Sequence, residues 1–140
     1  MDGFLSPEQY DEFYWPTLKR LVESLVAAGQ IPYVYTEGPY NSRLERLAEL
    51  PAGKVVIGFE DVDLAEMKRI VGEKHCICGG FNPRLLERGT VQQVEDEVKR
   101  VLDICAPGGG YIFDLNDTMD DCKPENVEAM FRTVRDYGTY

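Results

Sequence analysis

Residues 54–70 read Lys-Val-Val-Ile-Gly-Phe-Glu-Asp-Val-Asp-Leu-Ala-Glu-Met-Lys-Arg-Ile. The first six are β-prone, two carboxylates close the run, and Asp63 with Glu66 three residues on has the spacing of a capped helix start. A strand followed by a helix is therefore the unit to look for elsewhere. It recurs three more times. β-Prone runs at 32–36, 75–79 and 110–115 are each followed by a helix signal: Ser42 with Glu45, Thr90 with Gln93 after a turn opened by Asn82-Pro83, and Pro124-Glu125 leading to Tyr137. Strands alternating with amphipathic helices predict parallel pairing through right-handed crossovers.

Ahead of these units, Ser6-Pro7-Glu8-Gln9 reads as a helix start, with Ser6 as N-cap, Pro7 at the first helical position and Gln9 completing a capping box. Leu18, Leu21, Val22, Leu25 and Val26 then recur at helical spacing up to Gly29, and Pro16 is expected to kink or split the segment. The expected organisation is one α/β domain over 1–140: an N-terminal helix over 6–29 and four βα units over 31–138, half of what a closed parallel barrel needs. Gly108-Gly109-Gly110 precedes a strand, so it reads as an αβ connection and not as a phosphate-cradling loop, which would follow a strand and open a helix.

The chain has 140 residues and a formal charge of -10, which repels phosphate backbones and anionic head groups, so nucleic acid and membrane surfaces are poor partners. With neither an apolar leader nor an apolar run near the length of a membrane span, a soluble, cytoplasmic protein is expected. In that compartment Cys76, Cys78, Cys105 and Cys122 would be reduced thiols.

Ligand sites of parallel α/β folds lie at the carboxyl ends of the strands. Those ends carry Glu37-Gly38, Glu60-Asp61, residues 79–82, and Asp114 with Asn116-Asp117, so five carboxylates are expected on one rim, with Tyr35, Cys76 and Cys78 just beneath. Tyr35, Glu60, Asp61, Asp114 and Asn116 are the substrate-side candidates. Acids also cap helices, and Asp63 is read as a cap only. Cys76 and Cys78 fall on the same side of their strand; both packing and metal binding are open to them. His75, at a strand start opposite the expected site, reads as structural or solvated, and Tyr10, Phe13, Tyr14 and Trp15 as a packing cluster.

Five segments in this order, Ser6 through Tyr10 with Phe13 through Pro16, Arg43-Leu44-Glu45 through Leu50-Pro51, Val55 through Asp61, Gly79 through Pro83, and Lys123 through Val127, resemble the C-terminal half of the uroporphyrinogen decarboxylase superfamily. The resemblance implies a (β/α)8 barrel, of which this chain would be half, and either of two activities: decarboxylation in the haem pathway, or zinc-dependent methyl transfer from corrinoid proteins. In the methyltransferase branch a His-x-Cys-Gly follows the strand corresponding to 32–36 and a later Cys follows the last strand. Here Tyr35-Thr36-Glu37-Gly38 and Asn116-Asp117 stand in those places. The resemblance leaves a mixed zinc site with Glu37, Asp117 and a thiol from Cys76 or Cys78 as the metal arrangement to look for. The decarboxylase's arginine-rich segment and catalytic aspartate belong to the N-terminal half and have no counterpart here.

The resemblance thus implies part of a corrinoid-linked methyltransferase-type site, incomplete without an N-terminal half. The alternatives are a decarboxylase-type lyase fragment and a remnant domain that only binds or assembles. A barrel takes roughly 250 residues, and an open half would expose two strand edges and an apolar concave face. The expected covers are a second copy paired head to tail, a separate N-terminal barrel half, or the N-terminal helix laid across the sheet.

Overall fold

The computed structural model describes residues 4–139. Its first segment shows how the chain accommodates a proline inside a helix. Ser6 caps α1 (Pro7–Gln9), its Oγ accepting from Gln9 N at 3.2 Å while Gln9 Oε1 accepts from Ser6 N at 3.0 Å. A π-helical turn over Tyr10–Tyr14 follows, with Trp15 N donating to Tyr10 O, before α2 (Trp15–Ala27) begins. Pro16 has no N–H, and its ring would press on the carbonyl four residues back; the wider turn relieves both at the start of α2. Gly29, at φ +77°, ends α2, with Gln30 N closing back onto Leu25 O at 3.0 Å.

Four parallel strands form one sheet in the order β1 (Tyr33–Pro39), β2 (Val56–Asp61), β3 (Cys76–Phe81) and β4 (Tyr111–Leu115). β1 and β4 are the edges. Helices α4 (Leu64–Ile70), α5 (Arg84–Arg88), α6 (Val91–Cys105) and α7 (Pro124–Tyr137) return the chain between and after the strands. Asp63 caps α4 through Glu66 N at 3.0 Å, and Thr90 forms the expected capping box with Gln93 on α6. The expected Ser42-capped helix is not formed. A 3-10 turn (Asn41–Arg43) runs into the single turn α3 (Leu44–Leu47), and neither Tyr40 nor Arg43, which hold the N-cap positions, contributes a side-chain cap.

Register places Val34, Ile57, Ile77 and Tyr111 in one row across the sheet and Tyr35, Gly58, Cys78 and Ile112 in the next. Because side chains alternate, the two rows face opposite ways. The first row meets the helices: Ile57 and Ile77 are fully buried with Met67, Leu86, Val94, Val98 and Val101. The second row is open at its two ends, with Tyr35 46% and Ile112 47% exposed, while Cys78 between them is buried.

The N-terminal helix does not lie across that open face. Tyr10 and Trp15 are buried, Tyr10 Oη lies 2.9 Å from Tyr40 Oη, and Arg43 stacks 3.9 Å from the Tyr10 ring centroid. Trp15 Nε1 and Lys19 Nζ both donate to Glu49 Oε2, at 3.3 and 3.0 Å, and Arg46 bridges Asp11 and Glu49. The aromatics therefore seat α2 beside α3 at the β1 edge; Phe13 alone of the four stays exposed. No helix among the described residues is long and apolar enough to cross a membrane.

Candidate functional site

The carboxyl ends of the strands meet around a cavity of about 440 Å³ lined by Tyr35, Glu37, Glu60, Asp114, Asp117 and Thr118, with Leu115. Most of the carboxylate-bearing rim expected from strand order thus assembles at one place. Asp61 stands apart from the cavity and contributes its backbone carbonyl to Tyr40 N at 3.1 Å.

Asn116 ties the rim together. Its Nδ2 donates to Glu60 O at 2.8 Å, its backbone N donates to Phe81 O at 2.9 Å, and its carbonyl accepts from Tyr35 Oη at 3.0 Å. One residue after β4 thus joins β1, β2 and β3. Glu60 Oε2 in turn accepts from Gly38 N at 2.6 Å, holding the end of β1, where the register slips between Thr36 and Pro39. Gly38 sits at φ +80°, a conformation a side chain would strain.

Two of the carboxylates also organise their own loop. Asp114 Oδ1 accepts from Leu115 N at 2.8 Å, and Asp117 Oδ1 from Thr118 N at 2.7 Å. Such local bonds are the ordinary structural use of aspartate in turns. Burial and the surrounding carboxylates Glu60, Asp117, Glu37 and Asp114 raise the Tyr35 phenol pKa, so Tyr35 is a neutral hydrogen-bond donor at physiological pH.

Beneath the rim lies a chain of neutral donors. Cys78 Sγ donates to Asp114 Oδ2 at 3.5 Å, and the Tyr33 hydroxyl bonds to the Cys78 sulfur. Burial first, then the Asp114 charge, pushes the Cys78 thiol up to about 11; burial, then Cys78, pushes Tyr33 up to about 12. Cys76 is raised by burial as well. Neither thiol is a ready thiolate, the form that binds zinc.

The mixed zinc site does not come together. Glu37 and Asp117 share the cavity, but Cys76 and Cys78 sit deeper on β3, and no group of three His, Cys, Asp or Glu side chains among the described residues could hold a metal ion. Asp114, itself on the rim, uses both oxygens, one on Cys78 and one on its own loop. The donor set therefore does not fit zinc, and no chemistry is routed through it.

Tyr33 and Gly58 are the two residues of this face that residue-type reasoning passes over. Tyr33 precedes Tyr35 by two and shares its side of β1, a period-two signal legible in the sequence. Gly58 lies opposite Tyr35 in β2, and a Cβ there would collide with the Tyr33 hydroxyl and approach Tyr35 Cδ2 to 2.9 Å. A glycine inside a strand often marks such a close approach. His75 is buried, as a structural reading requires, but it is not solvated: neither ring nitrogen makes a well-formed hydrogen bond among the described residues, and the Leu47 backbone is the one backbone group that acts on it.

Residues 1–137 match the family described as Uroporphyrinogen decarboxylase (URO-D). Among curated proteins, the uroporphyrinogen decarboxylase of Pseudoalteromonas translucida is 26% identical over 97% of this chain, and that of Methylobacillus flagellatus 31% identical over 94%. The match takes in only 39% and 38% of those proteins. A solved methyltransferase from Methanosarcina mazei superposes with a TM-score of 0.75 at 17% identity, covering 96% of this chain and 39% of that one, which establishes a shared fold. Four parallel βα units behind an N-terminal helix, matched throughout to one part of longer relatives, are a half-barrel, and the chain belongs to the uroporphyrinogen decarboxylase family.

Proposed function

We propose that this half-barrel supplies one wall of a methyltransferase-type active site and is catalytically incomplete by itself. The observation that carries the reading is the rim: Glu37, Glu60, Asp114 and Asp117 converge with Tyr35 on one cavity at the carboxyl ends of the strands. Carboxylates in a partly enclosed site favour a substrate group that is cationic or rich in hydrogen-bond donors and disfavour a polyanion. The rim residues orient such a group, and Asn116 holds three strand ends in fixed relation while they do so.

On this reading the partner is a corrinoid protein, as the family resemblance implies, with its binding surface completed by further βα units, and no zinc-dependent step is assigned to this chain's own donors. A uroporphyrinogen decarboxylase-type lyase fragment is the second reading, favoured by the names of the curated relatives. The acidic rim weighs against it, because a porphyrinogen polycarboxylate would meet like charge there.

Amide chemical-shift titration separates the two. Tetramethylammonium is expected to shift resonances of Tyr35, Glu60 and Asn116, whereas uroporphyrin should leave them in place. Saturable uroporphyrin binding at the rim, with no response to the cation, would sink the methyltransferase-type reading.

A further inference from the structure

Cys76 and Cys78 are two residues apart on β3 and share one side of it, Cys78 in the row of Tyr35, Gly58 and Ile112 and Cys76 in the row of Tyr33 and Val56. The other two thiols stand elsewhere. Cys105 is buried at the end of α6, and Cys122 lies in the loop before α7.

The spacing of the pair decides what can join it. A rise of about 3.3 Å per residue puts the two Cα atoms about 6.6 Å apart, with the Cβ atoms at much the same separation. A disulfide needs Cβ atoms about 3.5–4.5 Å apart, and β3 is held extended by ladders to β2 on one side and β4 on the other. The thiols therefore do not join directly. One bridging ion suits them: metal–thiolate bonds are about 2.3 Å long, so two in line hold the sulfurs about 4.6 Å apart. Each Cβ–Sγ bond reaches that span by leaning toward the other.

The surroundings select the ion. Cys78 is buried, and its Sγ faces the Asp114 carboxylate at 3.5 Å. A thiolate there meets like charge away from bulk water, and a singly charged ion on two thiolates would leave one negative charge uncompensated. A divalent ion gives a complex with no net charge. Zinc completes its shell with four donors, and the pair gains no third His, Cys, Asp or Glu ligand among the described residues. Mercury(II) is soft, divalent and stable with two thiolates in line, and a coordinating thiol gives up its proton outright. Half-buried Cys76 gives the ion its way in.

We infer that Cys76 and Cys78 form a two-coordinate binding site for a soft divalent cation, and that mercury(II) is the ion that fits it. Binding exchanges two S–H bonds for two metal–sulfur bonds, releases both protons to solvent and changes no oxidation state. The site does not depend on what the carboxylate rim binds.

The test is mercury(II) chloride added to the reduced full chain without oxygen, with glutathione in excess as the competing thiol. One ion per chain should stay with the protein through gel filtration, with two protons released and mercury–sulfur charge-transfer absorption in the ultraviolet. Holding the second thiol on the same strand strengthens binding by about 10²-fold or more. Cys76→Ser, at a half-buried position, and Cys78→Ser should each lose at least that factor, whereas Cys105→Ser and Cys122→Ser should bind as the unaltered chain does. Equimolar zinc should not displace the ion. Transfer of mercury from the unaltered chain to glutathione, retention that survives Cys76→Ser, or dependence on Cys105 or Cys122 would overturn the proposal. Displacement by zinc would overturn the two-coordinate geometry on which it stands.

Discussion

The two faces of this sheet are built from the same strands, residue by residue, and differ in what closes them. On the helix-covered face, Ile57, Phe59, Ile77 and Phe81 have lost their exposure to water. On the concave face, one residue away along each strand, Tyr33, Tyr35 and Ile112 remain about half exposed. The difference is one of completion: side-chain alternation gives both faces apolar or aromatic residues, but only one has its second layer. The stability of the half-barrel is therefore concentrated on the helix-covered face, and the half-exposed side chains of the proposed site lie on the other.

The sharpest way to break this comparison is a pair of truncations. Phe81→Ala removes a fully buried ring packed 5.8 Å, centroid to centroid, from Phe113 and should cost about 3–5 kcal/mol in urea denaturation. Ile112→Ala on the open face should cost under about 1 kcal/mol, in line with ordinary surface changes. Equal losses would mean that the concave face is covered in solution.

Next in size is Gly58→Ala. The added methyl displaces the Tyr33 hydroxyl, and overpacking of this kind costs about 1–3 kcal/mol. Combining it with Tyr33→Ala should recover most of the loss. If the double variant is no better than Gly58→Ala alone, the glycine is needed for its backbone and not for the space it leaves.

Smaller, and dependent on pH, is the effect of His75. Burial, followed by Lys74, lowers its pKa, with the Leu47 backbone acting in the opposite sense. The folded chain then resists protonation that the unfolded chain accepts, so the contribution of His75 is fully present above about pH 6.5 and is lost as pH falls below it. His75→Leu should flatten the dependence of the unfolding midpoint between about pH 6.5 and 5. The variant should also retain stability at neutral pH, because it removes a buried imidazole that the Leu47 backbone contact compensates only weakly. An unchanged slope would show that His75 takes up no proton on unfolding.

The smallest effect belongs to the thiol beneath the rim. Asp114→Asn removes the charge that adds to burial in raising Cys78, so the pKa of about 11 should fall part of the way toward that of a free thiol. Thiolate absorbance across a pH titration reads this directly. No movement would mean that burial accounts for the whole shift.

Much of this architecture was legible because it is written in local patterns. The Ser6, Asp63 and Thr90 caps all stand where side-chain spacing put them, and four β-prone runs are four parallel strands. Ser42 does not hold an N-cap position because the chain leaves β1 through a register slip and a tight turn, so that the helix after β1 is the single turn α3 with Arg43 at its N-cap. The sequence-read strand ends fall two residues short in β2 and β3 and three short in β1, where glycines and carboxylates weaken the propensity signal but parallel pairing with neighbours carries the ladder on.

The rim follows the same division. That Glu37, Glu60, Asp114 and Asp117 share one end of the sheet was determined by the sequence, because parallel strands place every carboxyl end on one side. That Cys78 bonds to Asp114 while no thiol joins a group of three metal-ligating side chains among the described residues was decided only in three dimensions, where a contact across 36 residues sets Cys78 against Asp114. Order along the chain fixes which end of the sheet a residue reaches. Depth within that end, and so the difference between a metal ligand and a neutral hydrogen-bond donor, depends on register between strands, and register emerges only when the strands pair.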